Sequence, residues 1–208
     1  MEQTNQKRPV LAGALVFVAL AIGSFLRDGF YAVRSLVSVA SFGDTPHFYD
    51  IQPYLTSLLL FLAALFLLLC IAKQYPKSGS AALGGLAFLF TAIACFLTVL
   101  LYVSTAPSSL FKWPRVGNFG CCLVAGVLFL ISAILAFARR RFAAVGTIGA
   151  VFYMIYRFII FSSNLSRMDA PGMTFATVLM DPLISLLFHL FFGLALMLFA
   201  LKCRPQRG

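Results

Sequence analysis

Residues 119–161 read FGCCLVAGVLFLISAILAFARRRFAAVGTIGAVFYMIYRFIIF, two apolar runs separated by three consecutive arginines. The first run, 119–138, contains no charged residue, and the second, 143–161, contains only Arg157. Each run is about 20 residues long, which is enough for a helix to cross a hydrocarbon core of about 30 Å. Strands of a membrane barrel would show short alternating segments instead of solid apolar runs. The segment therefore predicts a transmembrane helical hairpin with a basic loop.

Apolar runs of this kind recur along the whole chain of 208 residues. The composition agrees, because 62% of the residues are hydrophobic, 11% are charged and the mean hydropathy is +0.98. A soluble domain carries about 25% charged residues. The predicted spans are 10–26, 54–72, 81–103, 119–138, 143–161 and 182–201. We therefore expect an all-α polytopic integral membrane protein, a single transmembrane domain over residues 1–208 with six transmembrane helices and no soluble catalytic domain.

The lysines and arginines outside the spans are distributed unequally between the two predicted sides of the membrane. One side has ten of them and the other has five. The richer side holds Lys7, Arg8, Lys73, Lys77, Arg139, Arg140, Arg141, Lys202, Arg204 and Arg207, and the poorer side holds Arg27, Arg34, Lys112, Arg115 and Arg167. Basic residues favour the cytoplasmic side, so the N- and C-termini are both predicted to be cytoplasmic in a cell membrane. An even number of spans agrees with this orientation.

The net charge of +10 does not indicate a nucleic-acid partner. The basic residues form short clusters at the ends of the spans, where they set the topology and contact anionic lipid headgroups. The sequence has no basic patch that alternates with aromatic side chains along a soluble face. We expect membrane lipids as partners and no nucleic acid.

The predicted loops are short on the inner side, at 73–80 and 139–142, and long on the outer side. The spans therefore form three hairpins that are each closed on the outside, and the short inner loops make their flanking helices antiparallel neighbours. In the first outer loop, residues 30–41 show the spacing of an amphipathic helix. Its apolar face would hold Val33, Leu36, Val37 and Ala40, and its polar face Arg34, Ser38 and Ser41. We expect this outer amphipathic segment to lie flat in the headgroup region.

Ionisable side chains are rare inside the spans and gather towards the outer ends of the last two. They are Arg157, His189 and, at a span boundary, Asp181. A charge in the hydrocarbon core is costly unless it is paired or hydrated, so each of them indicates a functional site. Asp181, Ser185 and His189 recur every four residues, which places them on one helix face. At a rise of about 1.5 Å per residue, Arg157 lies at a depth between Asp181 and Ser185, and Tyr153 lies level with His189.

Two interpretations of these residues stay open. In the first, they line a polar pocket between spans five and six that opens to the outer side, with Arg157 as the anchor for an anion or carboxylate and Asp181 as its counter-charge. The walls of this pocket would be Tyr153, Tyr156, Ser185 and His189. In the second, Arg157 and Asp181 form an ion pair that fixes the two helices, His189 bonds a neighbouring carbonyl, and the tyrosines are interfacial anchors.

The sequence contains no motif that carries a recognisable reaction. The five cysteines include no C-x-x-C pair, and the two histidines show no metal-ligand spacing. A P-loop and a G-x-S-x-G nucleophile motif are also missing from the sequence. We therefore expect no metal, no cofactor and no enzymatic activity, with the cysteines acting as small core residues.

Two classes of function fit these patterns. In its size, its six predicted spans, its cytoplasmic termini and its structured first outer loop, the chain resembles the small substrate-binding subunits of vitamin transporters, and the resemblance is one of architecture. It implies a small-solute transporter or a substrate-binding transporter subunit, with a small polar or anionic solute and other membrane subunits as partners. The alternative is a non-catalytic accessory or sensory membrane protein that uses its outer loops to contact a partner or lipid.

Overall fold

The computed structural model describes residues 3–41, 48–72, 78–105, 112–165 and 181–202. Helices make up nearly all of these ranges, and no strand occurs within them. The helices are α1 (Gln3–Ser41), α2 (Phe48–Ala72), α3 (Ser78–Thr105), α4 (Arg115–Phe137), α5 (Ala143–Leu165) and α6 (Asp181–Lys202). The all-α class that the apolar runs predict is confirmed for the described part of the chain.

The five helices α2 to α6 are long and apolar enough to cross a membrane. The candidate spans are Asp50–Cys70, Ala82–Thr105, Arg115–Phe137, Ala143–Leu165 and Pro182–Leu201, with mean hydropathies between 1.8 and 2.6. They overlap five of the six predicted spans. The first predicted span, 10–26, lies inside α1, which is not among these candidates. The span at 10–26, the hairpin arrangement and the cytoplasmic termini therefore stay predictions.

The first helix differs from the sequence-based expectation. The outer amphipathic segment, 30–41, is helical, but it continues α1 without a break. The end of the first span near Arg27 therefore stays a prediction, and it would lie inside a continuous helix. The 39 residues of α1 extend about 58 Å at a rise of about 1.5 Å per residue. The physical reason is that extending an existing helix is far easier than nucleating a new one, and no proline stands between Arg27 and Ser41 to end it.

Consecutive helices pack side by side along the chain, and α6 returns to contact α1. The short connection at 138–142 makes α4 and α5 antiparallel neighbours. With this alternation, α2 and α6 begin, and α3 and α5 end, at the same end of the bundle. The distribution of lysine and arginine predicts that this end faces outside, and we call it the predicted outer end.

Aromatic side chains fill the opposite end of the bundle. Phe142, in the connection between α4 and α5, packs against Phe88 of α3 and Phe199 of α6, with ring centroids 5.6 and 5.8 Å apart. Phe88 also contacts Phe129 of α4, at a centroid distance of 5.7 Å. All four rings are buried. Large rings in mutual contact leave little empty volume between them at this end of the described bundle.

Candidate functional site

A cavity of about 300 Å³ lies between α1, α2, α3, α5 and α6. It is at the predicted outer end, because its wall includes Gln52 near the start of α2, Ser185 in the first turns of α6 and Tyr102 in the last turn of α3. A water molecule occupies about 30 Å³ in the liquid, so the cavity has room for about ten waters. A solute of about ten non-hydrogen atoms would fill a similar volume.

The structure brings most of the sequence-predicted site residues to this cavity. Tyr156, Arg157, Ser185 and His189 line it. Tyr153 is buried behind the wall, where its hydroxyl lies 2.7 Å from Nδ1 of His189. The expected closeness in depth of Tyr153 and His189 therefore agrees with their contact.

Asp181 is the exception among the predicted site residues. The backbone of α6 begins at this residue, but its side chain lies outside the described residues. The predicted pairing of Asp181 with Arg157 therefore stays a prediction. Among the side chains that the structure describes, none forms an ion pair with Arg157.

The position of the open space differs from the predicted pocket between spans five and six. The space directly between α5 and α6 is only about 40 Å³, room for about one water. Arg157, Ser185 and His189 border both this small space and the larger cavity. The larger cavity lies between these two helices and the group formed by α1, α2 and α3. Sequence spacing within two helices does not reveal which further helices complete a site, because that depends on how the bundle packs.

Arg157 is held by two aromatic rings of its own helix. Its guanidinium carbon lies 5.0 Å from the ring centroid of Tyr156 and 5.5 Å from that of Tyr153. Cation–π contacts at such distances are worth about 0.5 to 2 kcal/mol each. Nε of Arg157 is buried and has no hydrogen-bond partner among the described residues. The rings thus fix the position of the guanidinium without using up its capacity to donate hydrogen bonds.

The bond between Tyr153 and His189 joins α5 to α6. Both side chains are almost fully buried, with 1% and 5% of their surface exposed. Either partner can donate the proton, depending on the histidine tautomer. The interpretation in which Arg157 and Asp181 fix the two helices expects His189 to bond a backbone carbonyl. Its partner here is a tyrosine hydroxyl instead. His189 therefore bonds the neighbouring helix α5 and also lines the cavity.

The wall formed by α2 and α3 carries polar residues that the sequence analysis missed. Nε2 of Gln52 donates a 2.8 Å hydrogen bond to Oγ1 of Thr56, and both side chains are buried. Ser57 and Thr98 also line the cavity, and the hydroxyl of Thr98 donates to the carbonyl of Ala94 at 2.9 Å. A signal existed in the four-residue spacing of Gln52 and Thr56 near the start of an apolar run. These residues are neutral, so the rarity of ionisable side chains inside the spans does not indicate them.

The helix α1 contributes one ion pair to the wall. Arg27 donates from Nε and Nη2 to Oδ1 of Asp28, at 2.9 and 2.7 Å. Both residues fall in a predicted outer loop, but in the structure they belong to the continuous helix α1 and line the cavity. Because Arg27 and Asp28 neutralise each other, Arg157 is the remaining positive charge among the described lining residues.

The cysteines and histidines of the described ranges are not arranged as ligands. Cys95, Cys121 and Cys122 are free thiols, and the thiol of Cys122 donates to the carbonyl of Cys95 at 3.4 Å. No cluster of three residues suited to hold a metal occurs among the residues that the structure describes.

No protein-family model, no curated protein and no solved structure matches this chain. The class of the protein therefore follows from its own residues. It is an all-helical, multi-pass membrane protein with a polar cavity enclosed by five of its helices.

Proposed function

We propose that this protein captures a small solute inside the membrane, as a small-solute transporter or as the substrate-binding subunit of one. The observation that supports the proposal most directly is Arg157, held by two tyrosine rings on the wall of a cavity of about 300 Å³. Small-molecule sites are concave spaces with a few convergent polar groups, and they start at about this volume.

The chemistry of the wall supports a binding site over a packing defect. Cavities that stay empty in proteins are apolar, whereas a polar cavity holds water or a ligand. Here an arginine, a histidine and several hydroxyls converge at one end of an apolar bundle. Polar groups are expensive at membrane depth, which favours a functional role for such a cluster.

A second candidate function follows from α1. Phe30 and Val33 expose 65% and 61% of their surface, and Tyr31 and Val37 are also about half exposed or more. Such residues along a helix favour contact with lipid or with a partner helix, as an accessory or sensory membrane protein would use. Replacing Phe30, Val33 and Val37 together by serine would abolish copurification of such a partner and leave solute binding unchanged.

The proposed function is tested by a binding screen on the purified full chain in detergent. The panel contains small acids, primary amides, amines and sugars of about ten non-hydrogen atoms, matched to the cavity volume. A ligand that binds only the folded state raises the midpoint of thermal unfolding, by an amount that grows with the logarithm of its concentration above the Kd. Each solute that raises the midpoint is then measured by equilibrium dialysis. We expect at least one to bind saturably.

A pair of variants on α2 tests whether binding occurs in the cavity. Ser57 lines the cavity, whereas Leu55, two residues earlier, is exposed on the outside of the bundle. Ser57→Phe fills the cavity and should abolish saturable binding, and Leu55→Phe should leave it unchanged. A screen without any saturable ligand, or binding that survives Ser57→Phe, would contradict the proposed function.

A further inference from the structure

We infer that the solute is a small monocarboxylate whose anionic end binds Arg157 and whose remainder is neutral and polar. This inference rests on the proposed function and names the chemical class that the same cavity accepts. It follows from three features of the site: the presentation of Arg157, the charges of the lining residues, and the chemistry of the other lining residues.

The guanidinium of Arg157 suits a planar oxyanion. Guanidinium presents its donors as a rigid fork that matches the two oxygens of a carboxylate, and the pair is often bidentate. The Tyr153 and Tyr156 rings, 5.5 and 5.0 Å away, fix the guanidinium before any solute arrives. A side chain ordered in advance loses less entropy on binding, so more of the interaction energy appears as affinity.

The charges of the wall favour one negative charge. Asp28 accepts two hydrogen bonds from Arg27, so this carboxylate is occupied by a cation of its own helix. Among the described lining residues, no unpaired carboxylate is present to bind an ammonium group of the solute. Arg157 is the one cation there that has no carboxylate partner, so a second carboxylate of the solute would find no cation. One solute carboxylate facing Arg157 balances the charges of the described lining residues.

The other lining residues suit a neutral remainder. Thr56, Ser57 and Thr98 bring hydroxyls from α2 and α3, and Tyr102 and Phe188 add aromatic surface. Hydroxyls and rings bind neutral hydrogen-bonding groups and small apolar bodies, without favouring a charge. With room for about ten non-hydrogen atoms, the cavity fits an acid of the size of benzoate or a short hydroxy acid.

The first experiment compares matched acids and amides on the unaltered protein. The probes are benzoate with benzamide and lactate with lactamide, measured by equilibrium dialysis at pH 7, where carboxylic acids are ionised. Each pair keeps the shape of the solute and changes its charge. Hydrogen bonds to a charged group contribute about 1.5 to 3 kcal/mol, so we expect an acid to bind about ten- to a hundredfold more tightly than its amide.

The second experiment assigns this preference to Arg157. In Arg157→Gln the affinity for the acid should fall to that of the amide, a loss of about ten- to a hundredfold. Arg157→Lys should retain part of the preference, because its ammonium keeps the charge but loses the fork. The matched control is Arg141→Gln, which removes an exposed arginine from the connection at 138–142 and should change nothing. Elution volume and circular dichroism verify that each variant is folded.

The outcomes separate the two proposals. Suppose that a solute binds saturably and that Ser57→Phe abolishes this binding, but acids and amides bind equally or amines bind best. This result overturns the carboxylate inference and leaves the proposed function standing. Equal acid affinity in folded Arg157→Gln also overturns it. If Arg157→Gln does not fold, the comparison of acids with amides on the unaltered protein decides alone. A panel without any saturable ligand overturns both proposals.

Discussion

Removing the hydroxyl of Tyr153 should destabilise the contact between α5 and α6. In Tyr153→Phe the ring stays among Phe129 and Phe192, its neighbours in the core, but Nδ1 of His189 loses its partner at 2.7 Å. A buried polar group that loses its only hydrogen bond costs about 1 to 3 kcal/mol. Hydrogen bonds between transmembrane helices measure about 0.6 to 2 kcal/mol. We therefore expect a loss of about 1 to 2 kcal/mol.

A double-mutant cycle isolates this bond. The free energies of unfolding of the wild type, Tyr153→Phe, His189→Leu and the double variant are measured by titration with SDS, followed by circular dichroism. The interaction energy should be about 1 kcal/mol, since the hydroxyl contributes nothing once the imidazole is gone. Tyr54→Phe is the matched control, because the Tyr54 ring packs against Phe25 of α1, and it should couple to His189→Leu by less than about 0.3 kcal/mol.

The cycle refutes the reasoning if the two substitutions are additive. Additivity within about 0.3 kcal/mol would mean that the bond between Tyr153 and His189 contributes no stability to the bundle. His189 would then contribute through the cavity and not through the contact between α5 and α6.

Two further predictions concern packing and access. A Cβ atom added at Gly146 would lie 2.9 Å from Cβ of Ala200, so Gly146→Ala should lower the free energy of unfolding by about 1 to 3 kcal/mol in the same titration. Gly120 is the control, because a Cβ atom added there meets nothing within 4 Å. Gly120→Ala should be neutral or slightly stabilising. Equal effects of the two substitutions would contradict the close packing at Gly146. Ser185 lies on the cavity wall, so Ser185→Cys should react with a charged, membrane-impermeant thiol reagent added outside intact cells. Ile184 is exposed on the outer surface of the bundle, so Ile184→Cys should be covered by lipid and stay unlabelled. Labelling of both or of neither, above the background of the native cysteines, would contradict access from the outside.

These experiments address different parts of one arrangement. The bond between Tyr153 and His189 positions α6 against α5, and this contact keeps His189 at the cavity wall. The two tyrosines that hold Arg157 stand one turn apart on α5, so the same helix face supplies the cation and its support. A substitution that disturbs the helix contact should therefore also weaken solute binding.

The residues around Arg157 show how far sequence reasoning extends. Four-residue spacing and a rise of about 1.5 Å per residue placed Tyr153 level with His189, and the structure joins them by a hydrogen bond. The same reasoning placed the pocket between two helices, whereas the larger space is shared by five. Gln52 and Thr56 could not be singled out from the sequence because neutral polar residues at the end of a span are ordinary. Only their position on the wall of the same cavity as Arg157 makes them part of a site.

The sequence by itself determined the all-helical class, five of the apolar spans and the rarity of charge inside them, because helix length and hydropathy are properties of consecutive residues. Tertiary structure alone decided that α1, α2 and α3 enclose the space next to Arg157. A cavity is the volume that packing leaves between elements distant in the chain. Its position depends on contacts such as those of Phe88 with Phe142 at the opposite end, which no local pattern encodes.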